Sequence, residues 1–166
     1  MSDESTLPQV HDDRSAPVFG FDDGGLIEGE PTWDRMTKVA AICVSLTRKH
    51  FGETLDYSPE SLGLVDRVIT SGWGEGPMQN PPERLTTVFG AYLGEIIVRR
   101  TRGRWVTGFS DDEPASILYV GPGDSVQASL SPFMMIRQKF RDPLGFDLPV
   151  AWAAMEQKLR EAEAGG

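Results

Sequence analysis

The chain has 166 residues, a mass of 18.3 kDa and a net charge of −9, with 39% hydrophobic and 25% charged residues. That length and composition fit one domain with a hydrophobic core of its own. No apolar run nears the roughly 18 residues of a membrane span, no basic region followed by an apolar one opens the sequence, so no secretory signal is expected, the single Cys43 excludes an internal disulfide framework, and the acidity argues against general nucleic-acid binding; the expected class is a soluble, cytoplasmic, acidic α+β protein.

The acidity is concentrated at the start. Residues 1–31 hold eight acids and one base, a net −7, and leave the remainder near neutral at −2. After Met1, only Leu7 and Val10 among the first 17 residues are large apolar groups. They cannot offset an ordering cost of about 1–2 kcal/mol per residue, so the reading is a largely disordered acidic tail over 1–31 and a single α+β domain over 32–164. Within the tail, Val18, Phe19, Phe21, Leu26 and Ile27 alternate with Gly and Asp. That pattern fits an extended segment laid on the domain surface, or a short motif docking on a partner through Phe19 and Phe21.

A helix is expected from Trp33 to Phe51, with Thr32 as N-cap, Arg48 and Lys49 at the negative end of the dipole, and an apolar stripe of Met36, Val39, Ala40, Cys43, Val44 and Leu46. A second begins at Ser58-Pro59-Glu60, a cap followed by a proline suited to the first helical position, and ends near Gly72. Residues 72–82, rich in Gly and Pro, read as a long loop that displays Trp73; its indole either marks a contact surface or folds back over the core. The third helix, Pro82 to Thr101, is the most apolar. Gly90 and Gly94 lie four apart within it, and their helix cost of up to about 1 kcal/mol each points to another backbone approaching that face.

Three short strands follow, at Arg104–Phe109, Ser116–Val120 and Ser125–Leu130, with Gly121-Pro122-Gly123-Asp124 as a hairpin turn. Ser131-Pro132 caps a fourth helix to Arg141, and a fifth runs from Leu148 to Ala164. The segregated order ααα-βββ-αα predicts helices flanking a three-stranded antiparallel meander rather than βαβ units.

Leu55-Asp56-Tyr57-Ser58-Pro59-Glu60-Ser61-Leu62, Gly90-Ala91-Tyr92-Leu93-Gly94-Glu95, Gly103-Arg104-Trp105-Val106 and Ser131-Pro132-Phe133 follow one another along the chain. The pattern resembles an uncharacterised group of small bacterial α+β domains. The resemblance covers about residues 53–160, leaves out the tail, and implies a fold without a function.

Chemistry-bearing residues are few. His11 and His50 are the two histidines, and His50 beside Asp56 and Ser58 at a helix end is better explained by the dipole than by a triad. One cysteine and two histidines without ligand spacing give no metal site, and Gly72-Trp73-Gly74-Glu75-Gly76 lacks the Lys-Ser/Thr ending of a phosphate loop, so no cofactor is expected. Glu95, on the apolar third helix, is either paired with Arg99 one turn on or a ligand-binding carboxylate near loop 72–82, with Tyr92 alongside. Arg99, Arg100, Arg102 and Arg104, and Arg137, Lys139 and Arg141, are basic runs for which solvated helix ends are a better reading than phosphate binding. The sequence therefore favours a non-enzymatic protein-interaction module, its partner a protein with a basic surface, and keeps a small-ligand binder or enzyme built on Glu95 as the alternative.

Overall fold

The computed structural model describes residues 33–101, 103–106, 115–120 and 126–165. Phe19 and Phe21, the hairpin turn 121–124 and residues 107–109 of the expected first strand lie outside the described residues. The elements are α1 (Trp33–Phe51), α2 (Ser61–Trp73), α3 (Glu83–Arg100), β1 (Gly103–Val106), β2 (Ser116–Val120), β3 (Val126–Leu130), α4 (Pro132–Arg141) and α5 (Leu148–Gly165). The fold is α+β in the expected order.

α3 is the axis. Every residue from Leu85 to Ile97 is buried, so this helix has no solvent face over more than three turns and must be enclosed by neighbours. α1 packs along one side of it and α4 along another. Gly90 and Gly94 make room on α3, but for rings and not for a backbone. A Cβ on Gly90 would overlap the Phe133 ring, and one on Gly94 would overlap the Trp105 indole and come within 3.2 Å of Pro132 Cγ. The two rings pack on each other, centroids 5.9 Å apart. The helix thus accepts the glycine cost in exchange for two large aromatic contacts.

The sheet is antiparallel in the order β1-β2-β3, with Trp105 opposite Ile117 and Ile117 opposite Leu130, and a register shift at Tyr119/Val120. β1 alternates between buried Gly103 and Trp105 and exposed Arg104, which turns one face of the sheet onto α3 and α1.

Helix starts follow local chemistry. Ser131 Oγ accepts from the Met134 amide at 3.2 Å, and Pro132 occupies the first position of α4. α2 begins at Ser61, two residues after the expected first position Pro59, because residues 58–61 form a tight turn first. Ser58 Oγ accepts from the Ser61 amide at 3.2 Å within that turn, and Glu60, not Ser58, stands at the N-cap of α2, without a side-chain cap bond. At the other end α2 continues through Gly72 to Trp73, and the loop begins at Gly74 with φ +91°. Gly72 lies against the Phe51 ring, and one further helical residue carries the indole into the core.

Candidate functional site

Glu95 is 4% exposed. Its Oε2 accepts from Thr37 Oγ1 of α1 and from Trp105 Nε1 of β1, each at 3.0 Å, while Oε1 accepts from Arg99 Nε at 3.3 Å. Three donors from three elements occupy both oxygens of the carboxylate. Arg99 is 46% exposed on its side chain, so the ion pair with it is weak and the two neutral donors fix the geometry. This carboxylate fastens α1, α3 and β1 together.

Tyr92 and Arg99 join the same region through Tyr57. Tyr57 sits at φ +64°, a left-handed conformation uncommon for a non-glycine residue. Its amide donates to Tyr92 Oη at 2.8 Å, and Tyr92 Oη also pairs with Ser61 Oγ at 2.6 Å. Burial pushes the Tyr92 hydroxyl up to about 12. The Tyr57 and Tyr92 rings lie 5.1 Å apart, and the Arg99 guanidinium stands 3.6 Å from the Tyr57 ring centroid. Burial raises Tyr57 above the usual phenol range, opposed by Arg99, and the two hydrogen bonds from Ser58 lower Asp56. These contacts pin the strained Tyr57 turn against α3.

The structure thus brings Tyr92, Glu95 and Arg99 together and leaves Trp73 out. Trp73 is 1% exposed and packs its indole between Phe51, Phe89 and Phe140, with centroids at 6.0, 5.9 and 6.1 Å. Of the two readings of Trp73, the indole folds into the core, and it does so from the last residue of α2 rather than from the loop, so it is not the contact aromatic. Nor does the loop sit beside Glu95. It is tied to the end of α4, where the Met78 amide donates to Phe140 O at 2.9 Å and Arg141 Nε donates to Gln79 O at 3.0 Å. Glu95 lies twelve residues into α3 from that loop, about 18 Å along the helix axis.

Sequence reasoning placed Lys139 in a basic run, but the structure buries it to 3% exposure. Its Nζ ion-pairs with Asp66 of α2 and donates to Pro143 O at 2.5 Å and Phe146 O at 2.9 Å. All three ammonium protons are therefore used. Asp66 Oδ2 in turn accepts from the Leu148 amide at 2.8 Å, which caps α5. The signal was spacing: Lys139 stands three residues after Ile136 on the buried face of α4. Cys43 is also buried, and burial pushes its thiol up to about 12, the opposite of a reactive cysteine.

Among the described residues no group of three or more His, Cys, Asp or Glu is placed to hold a metal ion, and no helix is long and apolar enough to cross a membrane. An apolar concavity lies elsewhere. A groove of about 390 Å³ runs between β3, α4 and α5, lined by Leu130, Met134, Met135, Phe146, Ala154 and Met155, with Lys158 on its rim. Met134 is 50% exposed there. Comparison with protein-family models, curated proteins and solved structures finds no match.

Proposed function

We propose that the chain is a non-enzymatic protein-interaction module whose docking elements are the acidic N-terminal segment and the methionine-lined groove between β3, α4 and α5. The groove is the observation that carries this reading. It sets a half-exposed Met134 beside Met135 and Met155. Unbranched thioether side chains adapt their shape to an apolar anchor, which suits a surface that receives another protein's side chains. The net −7 of residues 1–31 would speed the approach of a basic partner, an effect that salt screens. Trp73 plays no part in this surface, since its indole is enclosed by three aromatic rings.

The alternative, a small-ligand binder or enzyme built on Glu95, has less support. Both Glu95 oxygens already accept hydrogen bonds inside the fold, and a general base needs an oxygen within reach of its substrate.

Capture from a cell extract on the full chain, eluted in rising salt, tests the proposal. A specific protein released as salt rises, and lost when Met134→Glu and Ala154→Glu charge the groove, supports it. Capture that survives both changes, or no capture at all, contradicts it.

A further inference from the structure

We infer that the groove between β3, α4 and α5 receives the chain's own residues 18–27, with Phe19 and Phe21 seated against Met134, Met135 and Met155. The inference rests on the proposed reading of the groove as a docking surface and names its resident occupant.

Position, chemistry and charge carry it. The segment joins the domain at the start of α1, and that start lies toward the same end of the fold as the start of α4. Thr37, one turn into α1, shares the Glu95 carboxylate with Trp105. The Trp105 ring packs against Phe133, the residue before groove-lining Met134. From Ile27 to Trp33 the chain takes six residue steps, which reach up to about 20 Å when extended, and eight further residues lead back to Phe19. A segment tethered through so short a connection is held near the domain at a high effective concentration.

The chemistry matches on both sides. Thioether sulfur makes favourable contacts with aromatic rings, and Phe19 and Phe21 are the only aromatic residues in the first 32. Asp22 and Asp23 follow directly, while Lys158 is the one charged residue lining the groove. An alternating segment with Phe19 and Phe21 two residues apart presents both rings to one face when extended.

The test uses the full chain labelled at its methionine methyl groups and read by NMR. Phe19 and Phe21 in the groove displace the methyl resonances of Met134, Met135 and Met155 by ring currents. Phe19→Ala with Phe21→Ala relieves those displacements and leaves Met36 and Met78, both buried in the core, unchanged. A peptide of residues 16–30 added to this variant restores them. No change at the three groove methyls overturns the inference. So does a change spread equally over Met36 and Met78, which would make the phenylalanines core supports. Displacements that disappear on dilution assign the groove to a second copy of the chain and also overturn it. Failure here removes the occupant and not the docking surface, which the charged groove variant tests separately.

Discussion

The indole N–H of Trp105 donates to Glu95 Oε2 at 3.0 Å, and the same indole fills the space a Cβ on Gly94 would take. Two adjacent residues of α3 are thus committed to one side chain of β1. Gly94 admits the ring and Glu95 satisfies its only polar atom, so the sheet is held to α3 by packing and by a buried hydrogen bond together.

Replacing Glu95 by Ala strands the buried Trp105 donor and removes one acceptor from half-buried Thr37. A buried unsatisfied donor costs about 1–3 kcal/mol, so Glu95→Ala should destabilise the fold by about 2–3 kcal/mol. Glu95→Gln keeps the acceptor for those two donors, turns its amide toward half-exposed Arg99, and should cost about 1 kcal/mol. Urea unfolding measures both. Equal losses in the two variants would contradict the account of Glu95 as a structural acceptor.

The glycines of the helices should divide by what surrounds them. Gly94→Ala and Gly90→Ala gain helix propensity of about 1 kcal/mol but force Trp105 or Phe133 to move, and overpacking typically costs 1–3 kcal/mol, so about 1 kcal/mol of net destabilisation is expected from each. A Cβ at Gly63 in α2 would meet nothing within 4 Å, and Gly63→Ala should stabilise by about 0.5–1 kcal/mol. Thermal melts of the three variants check the difference in sign.

Lys139→Met leaves Asp66 without its cation and two carbonyls without their donor. Breaking a buried pair from one side costs about 3–5 kcal/mol. Asp66→Asn with Lys139→Met should recover part of this loss, since the amide needs no counter-charge. A double-mutant cycle with no coupling between the two positions would contradict the pairing.

Cys43 and Tyr92 make stability depend on alkaline pH. Burial holds the thiol at about 12 against an ordinary 9.0, and the Tyr92 hydroxyl at about 12 against an ordinary 10.0. Between these values the folded chain binds more protons than the unfolded one, so the contribution is intact below pH 9 and is lost as pH rises toward 12. Cys43→Ala should flatten the part of the decline that begins near pH 9 and leave the part that begins near pH 10. Denaturation midpoints of both proteins across this range test it, and identical profiles would contradict it.

Much of the fold was legible because local signals agreed with the packing. The apolar stripe and Gly52 mark α1 and its end as expected, the expected cap Thr32 lies outside the described residues, and Ser131-Pro132 opens α4 at the expected residue. The pairing of Glu95 with Arg99 was legible as a one-turn spacing. What the sequence hid came from other elements. Gly72 looked like a helix stop by composition, yet it is the residue that lets Phe51 close on α2 and so carries Trp73 inward. Trp105 and Thr37 reach Glu95 from β1 and α1, and Lys139 owes its burial to Asp66 on α2. No window of local sequence contains those partners. The groove was invisible for the same reason, since β3, α4 and α5 each supply part of it.

The central claim is that a protein partner docks in the methionine-lined groove. Hydrogen exchange of the chain alone and in complex with the protein it captures tests this most directly. Changed exchange at residues 129–138 and 151–158, accompanied only by changes within residues 1–31, is the predicted footprint. A footprint around Tyr57 and Arg99 with the groove unchanged would contradict it.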